Sequence, residues 1–373
     1  MQQTLKPHRH HTNSKATCMN SKIDRLKKAF PEEAAYFAVF DSVNMAYFTG
    51  FNGAAALLIP KEGDSTLYVA STNFEQAKHE VKGVHIELLK RSEHLLEVIA
   101  QTAKPTAHSK LAVDNLSIER YHALAKAVGD EKRLTAQNNT IRSIRAVKTP
   151  DEVALIRKAC KLADLGIKVA CEVIQPGVSE LEVAAEVEYA MRKAGSCGTA
   201  FDTIVASGKN SAFPHGTCIS RVIEDSDLVV VDLGATVSCY RSDITRTITA
   251  GKPSEKQLKN FQAVKTAQDS AFQAIAPQVP AKKVDSVARE AIFQAGFDQY
   301  FVHNLGHGVG LEVHETPVLS PVSTDILQQG NVVTLEPGIY ICGFGGVRIE
   351  DTVLVTENGA EKLTTAPYRL NAR

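Results

Sequence analysis

Residues 174 to 195 and 275 to 296 align without a gap at a constant offset of 101, pairing Ile174 with Ile275, Pro176 with Pro277, Val178 with Val279, Val183 with Val284, Ala190 with Ala291, Ala194 with Ala295 and Gly195 with Gly296. These seven matches in 22 positions point to a duplicated unit, with chance likeness between two amphipathic helices as the alternative. A repeat of this period divides the second half of the chain into two similar halves, each with two helices and following strands. Their strands are expected to form one antiparallel sheet with a cleft on the pseudo-twofold axis.

Local signals mark where those helices begin. Thr149-Pro-Asp-Glu152 supplies a cap residue, a proline at the first helical position and a capping-box glutamate. Ser179-Glu-Leu-Glu182 and Ser254-Glu-Lys-Gln257 repeat the device, and a fourth helix is expected from about Val284 to Gly296. Earlier in the chain, short strands near 36–40, 54–60, 65–70 and 110–114 alternate with helices near 22–30, 74–81, 94–102 and 117–128. That alternation is the pattern of an α/β domain, and the polar stretch 138–148 leads out of it. The chain therefore reads as a flexible tail over 1–20, an N-terminal domain over 21–148 and a C-terminal domain over 149–373. His8, His10 and His11 lie in the tail among polar residues, which fits a solvated extension better than a metal-loading segment. The tail lacks the apolar core of a secretory signal, and Met19 offers an alternative start.

Charge and composition exclude some classes of function. Lys plus Arg equals Asp plus Glu at 42 each and no dense basic run occurs, so nothing draws in nucleic acid or anionic lipid. No apolar run approaches the roughly 18 to 20 residues of a membrane span. The seven cysteines are odd in number, scattered and never in a C-x-x-C pair, which suits reduced thiols and a cytoplasmic setting.

Five residues that can ligate metal stand at the edges of apolar runs in the last third of the chain: Asp232, Asp243, His307, Glu336 and Glu350. The segments holding Asp232, Asp243 and Glu350 read as strands. Period-2 alternation puts Val230 and Asp232 on one face of a strand, and Asp243, Thr245 and Thr247 on one face of the next, so the two aspartates can meet across an antiparallel pair. Buried together they would repel, and divalent cations offset that cost. His307 lies among three glycines that let the backbone bend closely around whatever the imidazole binds. Four carboxylates and one imidazole suit Mn²⁺, Co²⁺, Fe²⁺ or Zn²⁺ in a pair better than a structural zinc. Taken singly, each has a plainer reading, such as a turn aspartate before glycine.

Val231-Asp-Leu-Gly-Ala235, Tyr240-Arg-Ser-Asp-Ile-Thr-Arg-Thr247, Gly306-His-Gly-Val-Gly-Leu-Glu-Val-His-Glu315, Thr334-Leu-Glu-Pro-Gly-Ile-Tyr340 and Gly346-Val-Arg-Ile-Glu-Asp-Thr352 resemble the signature blocks of the Xaa-Pro peptidases, the prolidase and aminopeptidase P branch of the pita-bread metallopeptidases. Tyr47-Phe-Thr-Gly-Phe51 resembles a segment of that family's creatinase-like N-terminal domain, so the likeness runs in outline from about residue 20 to the end. The resemblance implies an α+β, pita-bread catalytic domain with a pseudo-twofold antiparallel sheet and helices, preceded by a smaller α/β creatinase-like domain. That first domain would narrow the substrate cleft and support a homodimer.

The resemblance also implies roles. Asp232 would hold one metal, His307 and Glu336 the other, and Asp243 and Glu350 would bridge both, with a hydroxide between the ions that attacks the scissile carbonyl. Glu336 matches the proton shuttle, and His215 and His314 match histidines that bind substrate and steady the tetrahedral intermediate. Arg348 shares a strand face with Glu350 and could orient that ligand, a surface ion pair being the alternative. The substrate would be a proline-containing peptide, and Mn²⁺ or Co²⁺ the first metals to try, with Zn²⁺ or Fe²⁺ also suited. Many prolidases carry arginine where this chain has Val318, to receive the carboxylate of a dipeptide. Val318 therefore tilts the expectation toward an Xaa-Pro aminopeptidase, with an Xaa-Pro dipeptidase as the alternative and a non-catalytic peptide-binding module as the rival from another class.

Overall fold

The structure is a computed structural model that describes residues 21–371; the tail expected over 1–20 lies outside the described residues. The chain divides into two compact units between Arg145 and Ala146. In the first, elements follow as α1 (residues 21–28), β1 (Ala34–Val39), α2 (Ser42–Thr49), β2 (Ala56–Pro60), β3 (Thr66–Ala70), α3 (Phe74–Glu80), β4 (His85–Leu89), α4 (Leu95–Ala103), β5 (Lys110–Val113), α5 (Ile118–Val128), β6 (Leu134–Ala136) and α6 (Asn138–Ala146). The six strands form one mixed sheet in the order β4-β3-β2-β1-β5-β6. Ile99 and Ala103 of α4 and Leu124 and Val128 of α5 pack on Ala38, Leu58, Leu111 and Val113 to make its core.

The second unit runs α7 (Pro150–Val173), α8 (Glu180–Lys193), β7 (Ile204–Ser207), β8 (Leu228–Leu233), β9 (Thr236–Val237), β10 (Tyr240–Arg241), β11 (Ile244–Thr249), α9 (Glu255–Ala274), α10 (Ala281–Gln294), β12 (Gly306–Gly308), β13 (Glu315–Leu319), β14 (Val332–Leu335), β15 (Gly338–Ile341), β16 (Gly345–Arg348), β17 (Asp351–Thr356) and β18 (Gly359–Lys362). Capping boxes close at Thr149/Glu152, Ser179/Glu182 and Ser254/Gln257, at each site where the sequence signals them. The offset of 101 holds in three dimensions. Helices α7 and α9 end at Val173 and Ala274, and α8 and α10 cover 180–193 and 281–294. Gly177 and Gln278, also 101 apart, both adopt positive φ, of 95° and 66°, so the second half keeps a left-handed turn with a residue that favours it far less. α10 begins three residues before Val284, because Pro280 stands as its cap residue without a side-chain oxygen to signal the start.

The strands do not form one continuous ladder. β11-β8-β7 make a three-stranded antiparallel sheet, β13-β12-β14-β17-β18 a five-stranded one, and β15 pairs with β16 alone. Threonine hydroxyls, with a main-chain bond beside them, join the two halves where a backbone ladder was expected. Thr247 Oγ1 donates to Arg348 O at 2.9 Å, Thr352 Oγ1 donates to Asp243 O at 2.7 Å, and Glu350 N donates to Thr245 O at 3.0 Å. The pita-bread architecture stands, with its central seam made largely by side chains.

Alternation on these strands decides what faces the seam. Val229, Val231 and Leu233 of β8 and Ile244 and Ile248 of β11 pack under α7 and α8, while Val333 and Leu335 of β14 pack under α9 and α10. Each fully buried Val or Leu contributes about 1.5–3 kcal/mol relative to exposure. The residues between them, Asp232, Thr245, Thr334 and, past the strand end, Glu336, turn to the opposite face.

Candidate metal centre

Asp232 lies on β8, as the alternation predicts, but Asp243 and Glu350 do not lie in strands. They occupy the irregular residues just before β11 and just before β17. In the β8–β11 pairing Asp232 stands opposite Thr245, with Ile244 opposite Leu233, so Asp243 falls two residues beyond the position from which it would face Asp232 directly. The two strands pair antiparallel as the sequence suggests; the register differs by those two residues.

One ligand atom from each of Asp243, His307 and Glu350 lies within 4.8 Å of the others. His307 Nε2 is 3.2 Å from Glu336 Oε1 and 3.8 Å from Asp243 Oδ2. Its Nδ1 faces Gly308 O at 3.1 Å, which leaves Nε2 for the cluster. The flanking glycines serve close strand contact: a Cβ on Gly306 would lie 2.1 Å from Thr334 O. Thr334 Oγ1 accepts from His307 N at 3.1 Å and donates to Glu336 Oε1 at 3.2 Å, so one hydroxyl fixes two of the candidate ligands.

Arg348 reaches Asp232 and not Glu350. Its Nη2 donates to Asp232 Oδ2 at 2.6 Å, Nε to Thr245 Oγ1 at 3.1 Å, and Nη1 to Tyr340 OH at 3.0 Å and Pro214 O at 3.1 Å. The expectation that it orients Glu350 is thus redirected, since Glu350 Oε2 takes its hydrogen bond from Thr245 at 2.7 Å. His314 stacks edge-on against His307 at 4.2 Å between ring centroids. His215, one residue past Pro214, is exposed and lies in the neighbourhood of His303 and His314. Thr245, Thr334, Tyr340 and His303 were not singled out as site residues by sequence, although Tyr340 closes a signature block and Thr245 shares a strand face with Thr247. His303 bonds Tyr340 OH at 2.9 Å.

The electrostatics divide the carboxylates. Burial pushes Asp243 and Glu350 well above the usual carboxylate range, and the charges of their acidic neighbours add to the shift. Asp232 is also raised by burial, against the pull of Arg348. Burial opposes the charge on Glu336 too, but its hydrogen bond with His307 and the positive charge there outweigh it and hold the group down at about 2. The cationic partners crowd Glu336 while Asp243 and Glu350 face other acids. Asp232 Oδ1 is buried with no hydrogen-bond partner among the described residues. A buried oxygen without a donor, beside carboxyls that resist ionising, is an environment that divalent cations satisfy, and the donor set suits hard to borderline metals.

The model of metallopeptidase family M24 matches residues 154–357, and that of the creatinase/prolidase N-terminal domain matches residues 22–147. The chain is 43% identical over 355 residues to the Xaa-Pro dipeptidase of Pyrococcus furiosus, covering 94% of this chain and 100% of that protein. The crystal structure of the prolidase from Pyrococcus horikoshii OT3 superposes with a TM-score of 0.87 at 38% identity, over 94% of this chain and 100% of that one. An X-Pro aminopeptidase from Thermotoga maritima MSB8 gives a TM-score of 0.85 at 35% identity, over 93% and 99% of the two chains.

Proposed function

This chain belongs to metallopeptidase family M24, and from that premise we propose that it hydrolyses the bond between an amino-terminal residue and a following proline, with Xaa-Pro dipeptides as its first substrates. The observation that carries the reading is the convergence of His307 and buried carboxylates on one seam where Asp232 Oδ1 has no hydrogen-bond partner among the described residues. Likeness over nearly the whole chain to an archaeal Xaa-Pro dipeptidase supports the choice of substrate.

In this reading Asp232 would hold one divalent ion, His307 and Glu336 the other, and Asp243 and Glu350 would serve both, with Mn²⁺ or Co²⁺ as the metals to supply. When bound, such a pair supplies Lewis-acid polarisation of the scissile carbonyl and water activated near neutral pH. Glu336, whose carboxylate lies 3.2 Å from His307 Nε2, takes a proton from the attacking water on a carboxylate oxygen and returns it to the proline nitrogen as that nitrogen leaves. His314, stacked edge-on against His307, offers an N–H to the carbonyl oxygen as it gains charge, and His215 does the same from its loop. Arg348 fixes Asp232 and Tyr340 around the reacting groups. A homodimer and a cytoplasmic setting belong to the same reading; the six cysteines among the described residues are all unpaired, which supports the second. Among the described residues no helix is long and apolar enough to cross a membrane.

One observation favours aminopeptidase action as a second reading. Val318 stands opposite His307 in the β12–β13 pairing, so an apolar side chain shares the face of His307 at the place where the resemblance expects an arginine. Hydrolysis of Ala-Pro and Ala-Pro-Pro-Ala, by chelator-stripped protein with and without Mn²⁺ or Co²⁺, tests both. Metal-dependent cleavage of Ala-Pro is expected. Cleavage of the tetrapeptide alone turns the reading to an aminopeptidase, and cleavage of neither turns it to a peptide-binding module.

A further inference from the structure

The capping box at the start of α8 leaves one carboxylate unused. Ser179 and Glu182 close the box, and Glu180 stands between them at the first helical position. A first-turn glutamate is ordinarily a solvated group that favours the positive end of the helix. Glu180 is instead 0% exposed. Its Oε1 accepts from Ser207 N at 2.7 Å and from Ser207 Oγ at 2.7 Å, and its Oε2 accepts from Ile219 N at 3.0 Å.

Ser207 ends β7 and Ile219 lies twelve residues on, so a single carboxylate ties together both ends of the loop 208–218. Neighbouring groups reinforce this neck. Glu180 N donates to Arg221 O at 3.1 Å, and Arg221 Nη1 donates to Ser207 Oγ and to Asp227 Oδ2, each at 2.6 Å. Halfway along, the loop is pinned to β16: Gly346 N donates to Ser211 Oγ at 2.9 Å, and Arg348 Nη1 donates to Pro214 O at 3.1 Å. The residue after Pro214 is His215.

We infer that Glu180 is the positioning residue for His215, closing the neck of the loop so that the imidazole is held at the seam rather than swinging with a hinged segment. The inference rests on the peptidase reading, in which His215 contacts the substrate. The second half of the duplication contains a related device. Asp285 of α10 is buried, accepts from Leu305 N at 3.1 Å, and is gripped by Arg289, which donates to Phe301 O and His303 O. In both halves a buried carboxylate near the start of the second helix fastens the segment that delivers a histidine to the site. The two carboxylates are not aligned by the offset of 101, because Glu180 corresponds to Ala281, one helical turn before Asp285.

Glu180→Gln keeps the size of the side chain but sets an amide NH₂ against N–H and O–H donors, so at least one contact of the neck turns repulsive. A displacement of about 1 Å at a substrate-binding group can lower rate on the order of 100-fold. The experiment uses the full chain with Mn²⁺ and Ala-Pro, comparing wild type, Glu180→Gln, His215→Ala and the double variant, together with hydrogen exchange over 208–219 and bound Mn²⁺. Expected are a drop in kcat/KM of about 10- to 100-fold for Glu180→Gln, faster exchange confined to 208–219, unchanged bound Mn²⁺, and less than about a twofold further loss when the change is added to His215→Ala. Ser207→Ala, which removes only one of the donors, is expected to show the same dependence on His215 at a smaller size and serves if Glu180→Gln does not fold. Losses that multiply in the double variant, or activity within about twofold of wild type for Glu180→Gln, overturn the assignment while leaving the peptidase reading intact. A wild type inactive on both Ala-Pro and Ala-Pro-Pro-Ala overturns the two together.

Discussion

Arg348 Nη2 and Asp232 Oδ2 meet at 2.6 Å across the seam between the two halves, with both side chains largely withdrawn from solvent. The guanidinium spends its other donors on Thr245, Tyr340 and Pro214 O, so one planar group fixes a candidate ligand, a phenol and the loop of His215 together. Lysine offers three donors from one atom and cannot reproduce that fork. Arg348→Lys is expected to weaken binding of one divalent ion by about 10- to 100-fold with the fold retained. Calorimetric titration of Mn²⁺ checks this, and unchanged affinity would rule out a role for Arg348 in holding Asp232.

In the proposed reading Asp243 and Glu350 would serve both metals, so Asp243→Ala or Glu350→Ala should abolish activity and metal binding while the fold survives. Retention of more than about a tenth of the wild-type rate would sink that assignment. Stripping metal from the wild type with chelator should lower the melting temperature, because binding at about 100 times Kd adds about 2.7 kcal/mol of stability. Scanning calorimetry with EDTA and with Mn²⁺ reads the difference, and superimposable melts would contradict a metal site in the fold.

Val318 faces the side of β13 that carries the pairing with His307. Placing a cation there offers a partner to the free carboxylate of a dipeptide and nothing to a longer chain. Val318→Arg should raise the ratio of kcat/KM for Ala-Pro over Ala-Pro-Pro-Ala by about tenfold or more, the size expected for one charge-assisted contact. A ratio that stays put would show that the carboxylate is received elsewhere.

In the first unit, Asp114 is buried beside Asn44, and burial pushes its carboxyl up to about 6 in spite of hydrogen bonds from Asn44 Nδ2, Phe40 N and Asp41 N. The folded value lies above the ordinary 3.8, so the folded state holds the proton longer than the unfolded chain. This contribution to stability is complete below about pH 4 and disappears as pH rises through about 6, amounting to about 3 kcal/mol. Urea unfolding of wild type and Asp114→Asn at pH 4, 5, 6 and 7 should show the difference between them changing in that window. A constant difference would mean that Asp114 keeps an ordinary pKa.

The local chemistry of the chain was legible in its sequence. The capping boxes at Thr149, Ser179 and Ser254 form as read, because a cap is settled within four residues. Less was visible where the signal is short or exposed. The stretch 138–148, read as polar, contains α6, whose buried stripe is only Ile141, Ile144 and Arg145. Strand β4 at the sheet edge has no fully buried residue and so no alternation to detect. The comparisons favour the dipeptidase alternative over the aminopeptidase that Val318 suggests, since a single missing arginine is weaker testimony than likeness over 94% of the chain.

The sequence by itself determined the duplication, the helix starts and the chemical kinds of the ligands, all of which follow from near neighbours or from a period that can be counted. Only the tertiary structure decided which groups meet: Thr245 opposite Asp232, Arg348 on Asp232 rather than Glu350, threonine hydroxyls joining the halves, and Glu180 closing the loop of His215. Arg348 and Asp232 are 116 residues apart and Thr245 and Glu350 are 105 apart. Contacts at such separations depend on strand register and on how two sheets approach. Alternation assigns a residue to a face of its strand, but it leaves open which residue of a distant strand will stand across from it.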